Sequence, residues 1–177
     1  MMDNFKEDIA VNRRPLLYNI LYVICWVFVV VFGLYAMLSL QMIFYAFDWV
    51  TLISTVITAA VAVALFLVKD NLKVEYEYTF TNGTIDFAKV MRGARRKELG
   101  SMNLQNIAAC GHVAHDSFRK FLAMKDVKRR NWFLNRDGNL FYFYYVKDNQ
   151  KNMIIIEPSE EMVEMIRRYV PAGVYQG

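Results

Sequence analysis

Formal charge is absent from one long stretch of this chain. Between Pro15 and Val68, 54 residues contain a single charged side chain, Asp48. All the rest of the 21 Lys+Arg and 17 Asp+Glu lie outside it. A soluble globular domain does not segregate charge in this way, and a disordered chain would lack the 56% hydrophobic content. Cysteine is scarce too: Cys25 lies in the apolar stretch and Cys110 in the charged remainder, so a disulfide framework is excluded. Such sparse thiol usage fits a reducing, cytosolic setting for the charged part. With 8 Gly and 3 Pro there is no long flexible linker, and no internal repeat or low-complexity tract is present. Phosphate-binding glycine loops, G-x-S-x-G and H-E-x-x-H are missing as well, so nothing in the chain marks an enzyme.

What is present is a pair of apolar runs. Leu16 to Leu40 has 25 uncharged residues, about 37 Å as a helix, and Trp49 to Val68 has 20, about 30 Å. A bilayer core is roughly 30 Å thick, and lipid demands that backbone groups be bonded internally, so both runs are predicted as membrane-spanning helices. The link Gln41–Asp48 is short and aromatic, which predicts an antiparallel hairpin with Tyr45, Phe47 and Trp49 at the interface. The first run is too long for a signal-peptide core, and no small-residue cleavage site follows it. Arg13 and Arg14 precede the first run and Lys69 and Lys73 follow the second, while the link has no basic residue. By the positive-inside rule both termini are expected in the cytoplasm. Ser54, Thr58 and Ala62 recur every four residues, a spacing of small side chains that forms a helix-contact face, with Gly33 and Ala36 of the first helix as the expected partners. Neither span holds an interior charge, which argues against a transport path.

Beyond Val68 the period changes. Val74, Tyr76, Tyr78 and Phe80 alternate with polar residues, and Asn82-Gly83 is a hairpin signal before Thr84–Met91. A less regular strand follows over 95–103, then a short strand or helical turn within 104–113. Residues 114–135 are ambiguous. Leu140–Lys147 and Asn152–Glu157 read as paired strands. Ser159 caps a helix over 159–170, with Met162, Val163 and Ile166 on its apolar face. The expected fold class is therefore α+β: residues 1–15 as a cytosolic lead, a helical hairpin over 16–68 (16–40 and 49–68), and a curved antiparallel sheet or split barrel over 69–177 closed by a C-terminal helix.

The order of elements resembles bacterial PH-like (pleckstrin-homology-like) membrane proteins. The segments VEYEYTFTNGTIDF, RRKELGSMN and IIIEPSEEMVEMIRRYVP, with Val174-Tyr175, resemble an uncharacterised family of small clostridial membrane proteins. This resemblance implies a PH-like fold and carries over no catalytic or binding residue. Lipid-binding PH domains carry basic residues around the first hairpin loop, whereas Thr81-Asn82-Gly83 here has none.

Two side-chain groups have a chemistry to weigh. Cys110, His112, His115 and Asp116 are metal-ligand types, but no second Cys/His pair completes a site, so no metal and no cofactor is expected. The basic clusters Arg92, Arg95, Arg96, Lys97 and Lys125, Lys128, Arg129, Arg130 are candidates for anionic-lipid contact beneath the inner leaflet. Their aromatic neighbours fall at strand spacing, so core rather than nucleic-acid stacking is expected of them. The role this predicts is non-enzymatic: a membrane-anchored interaction or scaffold module, with the bilayer, a protein partner or second copy, or anionic headgroups as partners. The alternative is an accessory subunit of a transport or envelope-maintenance complex working through helix contacts.

Overall fold

Phe5–Ala10, a segment to which the sequence patterns assign no element, is a strand. In the computed structural model, which describes residues 4–93 and 95–176, this strand, β1, pairs antiparallel with β2 (Val74–Thr81). The helices α1 (Pro15–Tyr45) and α2 (Trp49–Val68) lie between them in the chain. The chain divides into two compact units, one formed by residues 14–74 and the other by 1–13 with 75–177.

The helical unit is a hairpin of two helices long and apolar enough to cross a membrane. Asp48 caps α2 by accepting from the Thr51 amide at 3.0 Å. The helices meet through Thr55, whose hydroxyl donates to Ser39 at 2.8 Å, and through an edge contact of Trp26 with Phe66. On α1 the contact centres one turn beyond the expected Gly33 and Ala36: Ser39 is buried and Ala36 half-buried, while nothing comes within 4 Å of a Cβ placed on Gly33. Trp26 lies beside Phe66 near the C-terminal end of α2, and the Tyr22 ring centre lies 4.4 Å from Lys73 Nζ, so α1 stays packed past the end of α2. A 3-10 turn, Lys69–Leu72, follows α2. Lys69 is only 2% exposed; its Nζ lies 3.9 Å from the Phe66 ring centre, 5.0 Å from that of Trp26, and 3.2 Å from Asp70. Two aromatic faces and a carboxylate thus replace the water this ammonium gives up.

The second unit holds two four-stranded sheets. The first has the order β1-β2-β3-β4, with β3 Thr84–Met91 and β4 Arg95–Asn103. The second has the order β5-β7-β8-β6, with β5 Ala109–His112, β6 Val127–Trp132, β7 Phe141–Lys147 and β8 Gln150–Ile156. Between β5 and β6, α3 (Asp116–Ala123) resolves the ambiguous stretch as a helix carrying Phe118 and Phe121, followed by a strand. The wholly antiparallel arrangement expected from the sequence needs one correction. β6 pairs parallel to β8, because residues 133–140 cross over before the β7–β8 hairpin begins.

Apolar side chains from both sheets meet in one core. Tyr78, Phe80, Ile85 and Phe87 pack with Cys110, Trp132, Phe141, Phe143, Ile154 and Ile156. One end of this core is covered by α4 (Glu160–Tyr169) through Met162, Val163 and Ile166. Ser159 caps α4 by accepting from the Met162 amide, and Glu160 and Glu161 occupy its first turn, favourable to the helix dipole. The dense aromatic run of β7 splits by strand alternation. Phe141 and Phe143 face this core, while Tyr142 and Tyr144 lie under Phe118 and Phe121 of α3. Both faces of the second sheet are covered, which is why β7 shows apolar residues at successive positions.

Candidate functional site

Strand register determines which loops share an end of the first sheet. Phe5 stands opposite Thr81 and Ala10 opposite Tyr76. Thr84 stands opposite Asn103 and Met91 opposite Arg95. One end thus gathers Asn4, the Asn82-Gly83 turn and Leu104, joined by Asn82 N–H to the Asn4 carbonyl (3.1 Å) and Leu104 N–H to the Gly83 carbonyl (2.9 Å). The opposite end gathers the exit of β1 toward α1, the return from α2 into β2, and the β3–β4 turn.

That second end is rich in cations. Arg13, Lys73, Lys89, Arg92, Arg95, Arg96 and Lys97 all belong to it or to its two tethers. Lys89 stands directly opposite Lys97, and Met91 opposite Arg95, on the face that carries Phe87. On the other face Arg96 Nε pairs with Glu77 at 3.0 Å. Near Phe87 the β4 register slips by one residue, a bulge at Leu99-Gly100 where Gly100 has φ 142°. The added twist of a bulge belongs to an edge strand. Of the first predicted cluster, Arg92, Arg95, Arg96 and Lys97 therefore share this end, and Lys89 joins them. Lys89 sits alone between apolar residues in the sequence, so only the cross-strand register reveals it.

The second cluster is elsewhere. Lys128, Arg129 and Arg130 lie on β6, the edge of the other sheet, just after Lys125. Arg129 donates to the Leu122 carbonyl, and Arg130 donates to the Tyr145 hydroxyl at 3.1 Å and lies 6.0 Å from the Trp132 ring centre. Lysine and arginine on β4 and β6 also guard exposed edges against pairing with other chains. The β5 edge is treated differently: it is bordered by the C-terminal segment, with Cys110 N–H donating to the Val174 carbonyl and Gln176 N–H to the Cys110 carbonyl. A Cβ on Gly111 would lie 2.2 Å from the Gln176 carbonyl oxygen, so this close approach requires glycine.

Asn135 secures the tether leaving β1. It is buried; its side chain accepts from the Arg13 amide at 3.0 Å and donates to the Val11 carbonyl at 2.9 Å and to both Glu157 oxygens. Its own amide donates to Glu157 at 3.1 Å, and the Arg13 guanidinium lies 3.8 Å from Glu157 and 3.6 Å from Asp137. A Cβ on Gly138 would come within 2.5 Å of Glu157, so glycine makes room for the carboxylate. No spacing in the sequence signals this network, because its members are 22, 122 and 124 residues apart.

The metal-ligand types do not converge. Burial pushes the Cys110 thiol up to about 12, leaving it protonated in the core. His112 pairs through Nδ1 with Asn139, and His115 caps α3 through Ser117. Among the described residues, no three His, Cys, Asp or Glu side chains gather as a metal site would require. Ser54, Thr58 and Ala62 lie on the side of α2 that includes Thr55: Ala62 is buried and the other two half-buried. Their hydroxyls donate to carbonyls of their own helix, Ser54 to Thr51 and Thr58 to Ser54.

A family model described as a bacterial PH-like domain (DUF6106) matches residues 2–176. The chain belongs to this family. Because the match runs without a break through α1 and α2, the apolar hairpin is part of the family's unit rather than an anchor appended to it. No curated protein matches the chain, and no solved structure does. The strand order corrects one reading of the hairpin loops. The first connection of this PH-like sheet is not Thr81-Asn82-Gly83, which joins β2 to β3, but the helical pair between β1 and β2.

Proposed function

We propose that this PH-like protein is a membrane-anchored interaction module. Its folded domain lies at the inner leaflet and works by contact with a protein partner or the lipid surface rather than by catalysis. The observation that carries this reading is the β1–β2 pairing. A strand before the first apolar helix and a strand after the second belong to one sheet, so both must lie on the same side of any membrane the helices cross. Two spans satisfy that condition and a single span would not. The basic flanks select the cytoplasmic side: Arg13 and Arg14 before α1, Lys69 and Lys73 after α2, and none in the link. In the Cys110 to Asp116 cluster, Cys110 is buried and both histidines are hydrogen-bonded, which favours binding over chemistry there.

The test uses full-length protein in its own membranes, tagged at one end at a time. Protease added to intact cells should leave both tags, and permeabilised cells should lose both. Cleavage of either tag from outside would end the reading.

A further inference from the structure

We propose that the β3–β4 end of the first sheet is a docking surface for anionic phospholipid headgroups; this rests on the membrane-anchored reading above. Covalent reach keeps the sheet close to the membrane. From Val68, the last residue of α2, to Val74, the first of β2, the path is a four-residue 3-10 turn and Lys73. At about 2 Å per residue in such a turn and roughly 3.3 Å where extended, the sheet begins within about 15 Å of the end of α2. The headgroup layer occupies roughly 5–7 Å of that distance. The apolar surface shortens it further. Leu16, Ile20 and Val23, in the first turns of α1, are exposed, and lipid is the solvent that suits them.

The strand register then places the β3–β4 turn, and not Asn82-Gly83, at this end. The charge arrangement says what it faces. Lys89 and Lys97 are direct cross-strand neighbours on one face, with Arg95 next along β4. Like charges directly opposite destabilise a sheet, and the attraction of each to an anionic surface offsets that repulsion. Arg96 is held on the other face by Glu77, so the cations committed to the surface are Lys89, Arg95 and Lys97. The β6 cluster is not part of this surface, because β6 is the edge strand of the other sheet, where Arg129 and Arg130 are also bonded to Leu122 and Tyr145.

Hydrogen exchange on the full-length protein in nanodiscs tests this. Discs of phosphatidylcholine alone are compared with discs containing phosphatidylglycerol. Amides of residues 91–96 should exchange severalfold more slowly in the anionic discs, and the turn at 82–83 should not change. High salt should abolish the difference. Lys97→Gln and Arg95→Gln should each weaken surface occupancy by about fivefold, the equivalent of roughly 1 kcal/mol per cation, whereas Lys128→Gln should not. Equal exchange in both discs, or protection at 82–83 instead, would overturn the proposal. So would protection found in native membranes but missing from anionic discs, which would assign the surface to a protein. None of these outcomes depends on the tag experiment, which alone decides the sidedness.

Discussion

Ala10 and Tyr76 are cross-strand neighbours, although both apolar helices lie between them in the chain. Antiparallel pairing across such an insertion works because a helical hairpin returns the chain to the side from which it left. The entropy of closing the loop is met by the packing of α1 on α2, not by the sheet alone.

The Asn135 network should be the weak point of that connection if cut. Asn135→Ala removes the partner of the Arg13 amide and leaves Glu157 less satisfied, at a cost of about 1–3 kcal/mol. Denaturant unfolding should show the loss, and limited proteolysis should cut the 11–14 segment faster. Unchanged stability and proteolysis would remove the tether role.

Gly138→Ala should destabilise by a related route. The added methyl meets the Glu157 carboxylate, which must retreat from Asn135. A melting temperature lowered together with faster cleavage at 11–14 is expected, and combining the change with Asn135→Ala should be less than additive, as measured in a double-mutant cycle.

Within the hairpin, Thr55→Val keeps shape and removes the hydroxyl that reaches Ser39. Interhelical hydrogen bonds of this kind contribute about 0.6 kcal/mol on average. A small loss of helix-pair stability in detergent titration is expected. A Ser39→Ala change made on top of it should add little.

Lys6 and Glu161 form an ion pair between β1 and α4. The hydrogen bond from Lys6 is the main cause that lowers the Glu161 pKa, and the same bond raises that of Lys6. The contribution is therefore present above the ordinary carboxylate pKa and lost as pH falls through the lowered value of Glu161. At the alkaline side it is lost as pH rises through the raised value of Lys6. Both groups are solvent-exposed, so the effect is modest and salt-sensitive. Melting curves of the protein and of Glu161→Gln should differ near neutral pH and converge in acid.

Cys110 should resist alkylation in the folded protein and react once denaturant opens the core. Its thiol is buried and its pKa stands near 12, so thiolate is scarce at neutral pH. Rapid modification of the native protein, counted by mass spectrometry with a Cys25→Ser variant as reference, would contradict the packing of β5.

The apolar helices, most strands of the domain and the C-terminal helix were legible because each is a local pattern. A charge-free run, a period of two, or a Ser cap before an apolar face is written over consecutive residues and needs no partner to be seen. β1 was illegible for the converse reason. Phe5-Lys6-Glu7-Asp8-Ile9-Ala10 mixes charge and apolar residues, and its reason to be extended is a β2 edge reached only after the hairpin. The parallel place of β6 was hidden likewise, since VKRRNW has one apolar face that matters, ending at Trp132 against Phe87.

Composition and periodicity alone determined that this chain has two spans' worth of oil-soluble helix, a β-rich remainder and an excess of cations, because those properties are sums over neighbouring residues. Tertiary structure decided which cations share an end of the sheet and which are tied to their own strand. It also decided that the lead before the first helix belongs to the domain after the second. Those facts depend on register between strands distant in the chain, and register is decided by which faces can be buried together.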